Sequence, residues 1–457
     1  MKIWINKNSN EIPILGYEDA YVFSLNREEY STIYSNISDT WLRLGALAIN
    51  PIYEDLFLIA IAIFAIDKRV SRRLFKDCWT REFDVSIPVI ELEKWESVRV
   101  LWNKTMNFLT GDVWNISFRK SDNLYSQRIK QSRNRIDISG CDVVSLFSGG
   151  LDSFCGAIKL LEEGKSPCLF GHNEYPKLRA KQELLCEQFQ NGYPSQVVRF
   201  LSFTANSRAP YSNQFGRLAG SENTSRGRSL LFLCAALSIA GILGDQVPVC
   251  IPENGFIGLN IPSTNSRKGT CSTRTTHPFF LDSFKEIIET VGIQNPIINF
   301  YAYMTKREVV NSVKNVDLFV QGYADTISCS HPCLPRWDKL GNNQYPKNCG
   351  YCYPCLIRKS SLIDIADKRE IYSYENVSLD FLKSFSESDK ISDLTAVIKS
   401  VYRYRIVDDN EIRRLIRCTG KLSNDEIEKF LRVYKATMED LIKLFSTDEE
   451  MKEYIGI

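Results

Sequence analysis

The sequence predicts an α/β protein built on a doubly wound parallel sheet. An N-terminal α/β domain precedes that sheet, and a four-cysteine zinc module and a helical C-terminal extension follow it. Three observations carry this expectation. From residue 141 onward, short β-branched apolar runs alternate with helical runs, the pattern of strands joined by crossover helices. The hexapeptide Ser148-Gly149-Gly150-Leu151-Asp152-Ser153 lies between one such strand and the next helix. Five of the 14 cysteines fall between Cys329 and Cys355, and the chain beyond them is helical in periodicity. The expected units are 1–140, 141–325, 326–360 and 361–457.

In the first unit, residues 55–73 (DLFLIAIAIFAIDKRVSRR) are apolar nearly all round and then basic, which suits a buried helix or a strand–helix unit that ends at the surface. Residues 84–92 (DVSIPVIEL) read as extended, with Pro88 unable to donate to an inner ladder. Trp95, Val98, Leu101, Trp102, Met106 and Leu109 recur at helical spacing, and Thr110-Gly111-Asp112 turns into the alternating strand VWNISFRK. This unit shows no catalytic constellation. Residues 119–135 are polar and basic. They could form an arm for RNA or an acidic partner, but Tyr125 is their sole aromatic, so the connector reading is kept.

In the second unit the strands are CDVVSLF, SPCLFGHNEY, SQVVRFLSF, VPVCIPE and NPIINFYAYMT. The helices between and after them are FCGAIKLLEEG (stopped by Gly164), AKQELLCEQFQ, GRSLLFLCAALSIAGILG and KREVVNSVKN. The C-terminal helices start at Ser or Asp, and Ser423 with Glu426 fits a capping box.

Composition limits the function classes. Charged residues number 57 Lys+Arg against 55 Asp+Glu, so there is no global electrostatic footprint for nucleic acid. The longest apolar run, Leu56 to Ile66, is too short for a bilayer, which takes about 20 residues, and the N-terminus lacks a signal-peptide pattern. A cytoplasmic protein with no membrane role is expected. In such a chain, clustered cysteines suit a metal site better than disulfides.

The hexapeptide has the chemistry of a phosphate cradle. Its two glycines allow close backbone approach, and the N–H groups of the following helix face an anion. It is not a Walker A loop, because no GxxxxGK[ST] is present. Cys349-x2-Cys352-x2-Cys355 lets three thiolates converge on one ion, and Cys329 completes a tetrahedron suited to structural zinc. Cys333 and His331 are alternatives for the fourth position, and an iron–sulfur cluster would use similar ligands. Glu253 and Asn254 directly follow a strand, at the carboxyl edge where such sheets bind ligands. A carboxylate there could accept from a guanine-like N1–H and amine, and Arg274 and His277 could face a phosphate or carboxylate. The structural alternative is that Glu253 caps a turn and residues 272–278 (STRTTHP) form an ordered loop.

The hexapeptide resembles the pyrophosphate-binding loop of the N-type ATP pyrophosphatases, the PP-loop superfamily of HUP-like fold. The resemblance implies that ATP is cleaved between its α and β phosphates and that an acceptor is adenylated. It implies that the loop Ser148–Ser153, Leu151 included, surrounds pyrophosphate, with Ser148, Asp152 and Ser153 as the catalytic residues and Asp152 helping to place Mg²⁺. Together with SC…CGxCxxCLxRK, the loop resembles the 7-cyano-7-deazaguanine synthases (the QueC-like family) over about 141–360. Met304-Thr305-Lys306-Arg307-Glu308-Val309-Val310 resembles that family's TKxEIV segment, which makes Lys306 a substrate-binding candidate. Arg226-Gly227-Arg228-Ser229 resembles its GRN helix entry, which makes Arg228 a nucleotide-binding candidate, with Ser229 in place of Asn. The family's FDYGQxH-like stretch is replaced by FGHNEYPKLRAKQE, and the gap from Cys329 to Cys349 is longer than usual.

The enlarged layout, with PENGFIGLNIP and STRTTHP, resembles the QueC-like proteins of anti-phage systems of the Qat or type IV CBASS kind. The expectation is an ATP-dependent C–N ligase that adenylates a 7-deazaguanine carboxylate and transfers it to an amine, the acceptor being open to a partner protein's N-terminus. Housekeeping nitrile synthesis is the first alternative. A tRNA thiolase or lysidine-type enzyme would want a reactive cysteine such as Cys155 or Cys186. A non-catalytic nucleotide sensor would not need an intact hexapeptide.

Overall fold

The computed structural model describes residues 1–456 except 8–10, 15, 26–30, 47, 127–133, 174, 223–225, 262–273, 334–344, 366–371, 375–376 and 385–391. The middle of the basic connector and the first two residues of STRTTHP therefore lie outside the described residues.

The chain opens with β1 (Lys2–Asn6), β2 (Tyr21–Ser24), β3 (Ile33–Ser35) and α1 (Ile37–Arg43), then α2 (Pro51–Arg69), β4 (Glu82–Val89), α3 (Leu92–Thr110) and β5 (Val113–Lys120). Strands β2-β1-β4-β5 lie side by side and parallel. Pro88 is tolerated within β4 because β1 reaches only Ser86 on that side, while β5 covers the other side to Val89. The 55–73 run forms the C-terminal part of α2 and the turn beyond it. With Asn50 accepting from Ile52 N–H at its start, α2 is buried over nearly its whole length. Its buried carboxylates are all engaged. Glu54 lies 2.6 Å from Lys7 Nζ and accepts from Tyr125 and Ser126 N–H. Asp55 accepts from Ile90 and Glu91 N–H.

The second sheet comprises β6 (Val143–Leu146), β7 (Pro167–His172) and β8 (Arg199–Phe203), with α4 (Leu151–Glu162) and α5 (Pro176–Gly192) between them. Next come β9 (Ala205–Ser207), β10 (Tyr211–Ser212), β11 (Gly216–Arg217), α6 (Gly227–Leu243), β12 (Val249–Cys250), α7 (Gly255–Leu259), α8 (Pro278–Thr290), β13 (Ile297–Ile298), α9 (Lys306–Asn311) and α10 (Val316–Gly322). Strand order is β13-β12-β6-β7-β8, all parallel. The chain winds from β6 outward to β8, then returns through α6 to β12 on the other side of β6. The strand order therefore reverses at the carboxyl end of β6, where Ser148–Ser153 begins α4. Such a crevice is where open parallel sheets admit ligands.

The division at residue 140 holds in chain order and not in packing. β10 and β11 form an antiparallel ribbon that joins the first sheet beside β2, and β9 pairs with β3. Helix α6 packs along α2, so closely that a Cβ on Gly227 would lie 2.9 Å from Phe64 Cα. One apolar core runs through both sheets.

Beyond the second sheet come α11 (Tyr353–Ser361), α12 (Leu379–Ser384), α13 (Ser392–Ile406), α14 (Asp409–Arg417), α15 (Asn424–Phe445) and α16 (Glu449–Tyr454). The expected capping box forms: Ser423 Oγ accepts from Glu426 N–H, and Glu426 accepts from Ser423 N–H. These helices share a core with α7 and α11 through Phe256, Leu356, Leu394, Phe430 and Leu441. No described helix is long and apolar enough to cross a membrane.

Candidate functional site

Ser148–Ser153 leaves β6 through Gly149 at φ 79°, a left-handed conformation that glycine adopts without strain. A Cβ there would lie 3.1 Å from Gln182 Cγ. Ser148 Oγ accepts from Gly150 N–H and lies 3.2 Å from Ser153 Oγ, which donates to Gly150 O. From the far side, Ile327 N–H donates to Gly149 O (2.8 Å) and Ser328 Oγ accepts from Leu151 N–H (3.2 Å). The loop is thus fixed before α4 begins. The first-turn N–H groups of α4 have no intrahelical acceptor, as at any helix start.

Asp152, in the first turn of α4, is held by two other strand ends. Its Oδ1 lies 2.7 Å from Lys306 Nζ, and its Oδ2 accepts from Asn254 Nδ2 at 2.7 Å. Asn254 also caps α7, its Oδ1 accepting from Ile257 N–H. Lys306 opens α9, behind a capping box of Thr305 and Glu308. Gly255 N–H donates to Met304 O and ties the two segments together. Glu253 lies beside this cluster. Burial, and then the charge of Asp152, push its carboxyl up to about 7, against the Thr276 hydroxyl and Lys306. Four expected residues, Asp152, Glu253, Asn254 and Lys306, thus converge at the carboxyl edge of β6, β12 and β13. They can hold a cation or an electron-rich oxygen beside the Ser148–Ser153 loop.

Three other expected residues stand differently. His277 was expected to face substrate, and the structure corrects this. It caps α8, with Nδ1 accepting from Phe279 N–H (3.2 Å) and Nε2 3.1 Å from Thr419 Oγ1. Both ring nitrogens are committed, and burial pushes its pKa down to about 3. Arg274 donates to Phe108 O (3.0 Å) and lies over the Phe108 ring. Arg228 is exposed in the first turn of α6, whereas Arg226 beside it is buried. Cys155 and Cys186, the nucleophiles a thiolase would need, sit in apolar surroundings that push their thiols up.

The Sγ atoms of Cys329, Cys349, Cys352 and Cys355 lie within 4.8 Å of one another, and all four cysteines are free thiols. Cys333 is not in the group. Backbone N–H groups of Ser330, His331, Cys349 and Cys352 point at these sulfurs. The donor set fits a metal such as zinc: four soft ligands, three of them on buried residues, with N–H donors that favour thiolate.

Sequence reasoning missed what joins this cluster to the loop. Arg358, fully buried on α11, donates to Thr326 Oγ1 (2.6 Å), Ser328 Oγ (3.3 Å) and Tyr323 O (2.7 Å). Ser328 is the residue that holds Leu151 N–H. The available signals were Ser328 directly before Cys329 and Arg358 three residues after Cys355.

No protein-family model matches this chain, and no curated protein matches it.

Proposed function

We propose that the chain is an ATP-dependent C–N ligase of QueC-like, PP-loop type, which forms AMP and pyrophosphate. In this reading it adenylates a 7-deazaguanine carboxylate and transfers the acyl group to an amine, in anti-phage defence. The observation that carries the reading is the engagement of Asp152 by both Lys306 and Asn254, at the start of the helix that follows the Ser-Gly-Gly loop.

In this reading a carboxylate oxygen of the substrate attacks the α phosphorus of ATP, and pyrophosphate leaves into the 148–153 loop. The first-turn N–H groups of α4 that follow Leu151, and the hydroxyls of Ser148 and Ser153, receive the leaving group's charge. Lys306 offsets charge beside Asp152. Mg²⁺ suits this position, since a hard carboxylate here already holds a cation; when bound, it neutralises phosphate charge. Glu253, with a pKa near neutrality, takes the proton released when the amine attacks the acyl carbon and AMP departs. Zinc in the four-cysteine group acts structurally and holds Arg358 and Ser328 against the loop.

The acceptor we favour is the N-terminal amine of a partner protein. The first sheet and the C-terminal helices supply surface that a small-molecule reaction does not need. Joining a primary amine gives a secondary amide, which cannot be dehydrated to a nitrile, so the reaction stops after one activation.

The test is to supply ATP, Mg²⁺ and 7-carboxy-7-deazaguanine and to resolve the nucleotide products. AMP and pyrophosphate, lost in Asp152→Ala, support the reading; ADP and phosphate overturn it. Intact masses of proteins encoded beside this chain and co-expressed with it identify the acceptor. Unmodified partners, with free nitrile formed from ammonia, would decide for the housekeeping reaction.

A further inference from the structure

Where α6 begins against α2 and α3, four arginines and two aspartates are packed together. Arg81 lies 2.5 Å from both Asp67 Oδ1 and Asp112 Oδ2, and Arg72 lies 2.5 Å from Asp112 Oδ1. Asp67 Oδ2 also accepts from Gly227 N–H. These two aspartates are used up by Arg72 and Arg81. A further carboxylate, Glu222, accepts from the backbone N–H of Arg72.

Arg226 and Arg274 have no carboxylate partner among the described residues. Each donates through Nη1 to a carbonyl near the end of α3, Arg226 to Thr110 O and Arg274 to Phe108 O. Carbonyls at a helix end suit cations, and that accounts for one N–H of each guanidinium. The rest of Arg226 is unaccounted for. The residue is 4% exposed, and its Nε and Nη2 are buried without a partner. Those two nitrogens share one edge of the guanidinium. Their N–H bonds run parallel, the arrangement that grips two oxygens of a carboxylate or phosphate. The residues directly before Arg226 in sequence, Asn223-Thr224-Ser225, carry no charge.

We propose that the open edge of Arg226, with Arg274 beside it, is an oxyanion-binding site for a phosphate or carboxylate group, separate from the 148–153 loop. A buried guanidinium edge without a hydrogen-bond partner is costly to the fold, and a bound oxyanion relieves that cost. The electrostatics agree: burial, and then Arg274 and Arg72, push the Arg226 pKa down to about 10, against the opposing charges of Asp67 and Asp112. This site is independent of the proposed ligase reaction.

The test uses a Ser148→Ala, Ser153→Ala background, so that the first loop contributes little. Melting is followed in inorganic phosphate, acetate or chloride at matched ionic strength. Phosphate well above its dissociation constant should raise Tm by about 2–4 °C. Adding Arg226→Gln should abolish the rise, and Arg226→Lys, which keeps the charge but loses the fork, should reduce it. A response to phosphate alone assigns a phosphate group, and a response to acetate as well admits carboxylates. No rise in either anion, or a rise that survives Arg226→Gln, overturns the proposal. If Arg226→Gln does not fold, crystals of the background protein grown with tungstate decide: an anomalous peak at Arg226 Nε and Nη2 supports the site, and a map without one refutes it.

Discussion

Lys306 Nζ lies 2.7 Å from Asp152 Oδ1, so a lysine opening α9 holds the acidic side chain in the first turn of α4. Both side chains are largely buried, 6% and 14% exposed. Neither is expected to tolerate the loss of the other, since removing one partner strands a desolvated charge.

Lys306→Met should therefore cost about 3 kcal/mol of stability, and Lys306→Met with Asp152→Asn should recover part of it. Urea unfolding of the two single variants and the double variant measures the coupling. Either single change should lower AMP formation by about 10²-fold or more. Additive stability losses would show that the pair is not coupled.

The four-cysteine group should carry about one zinc per chain, since metal binding free energy is folding free energy. Metal analysis and native mass spectrometry check this, and a brown, iron-containing protein would contradict it. Cys352→Ser should lower both the melting temperature and ATP turnover, because Arg358 and Ser328 connect the group to the loop.

His277 gives acid sensitivity. In the unfolded chain its imidazole takes a proton near 6.5, whereas in the folded chain it stays neutral until about 3. Between those values the unfolded state binds more protons. The stability it contributes is complete above pH 6.5 and is lost as pH falls toward 3, by about 2 kcal/mol at pH 5. His277→Asn keeps a capping acceptor and removes the titration, so its unfolding free energy should change less between pH 7.5 and 5. An unchanged pH profile would count against this.

A Cβ on Gly255 would lie 2.2 Å from Ala302 O, a backbone atom that cannot swing aside. Gly255→Ala should displace the start of α7 and pull Asn254 away from Asp152. We expect AMP formation to fall by about 10-fold or more with helix content unchanged, measured by nucleotide chromatography and circular dichroism. Activity within twofold of the parent would remove Asn254 from the site.

The parts legible in sequence were those whose chemistry is contiguous. The hexapeptide and the Cys-x2-Cys-x2-Cys run each declare their neighbours within a few residues. Asn254 and Lys306 were flagged on separate grounds, and only folding brings both to one carboxylate. His277 misled because a basic side chain looks alike in sequence whether it meets a ligand or a helix end. The run at 55–73 is apolar on all faces, so periodicity could not separate helix from strand. The ribbon at 211–217 has strands of two residues, too short for any pattern.

That ribbon bears on how the chain is made. The first sheet offers the β2 edge as soon as residue 24 is synthesised, yet the strand beside it comes only with residue 211. At about 5–20 residues per second, ribosomal synthesis leaves that edge uncovered for on the order of ten seconds or more. Over this interval an open strand edge can pair with another nascent chain. Truncation near residue 140 would make the interval permanent, so the first 140 residues expressed alone should aggregate rather than behave as a free-standing domain.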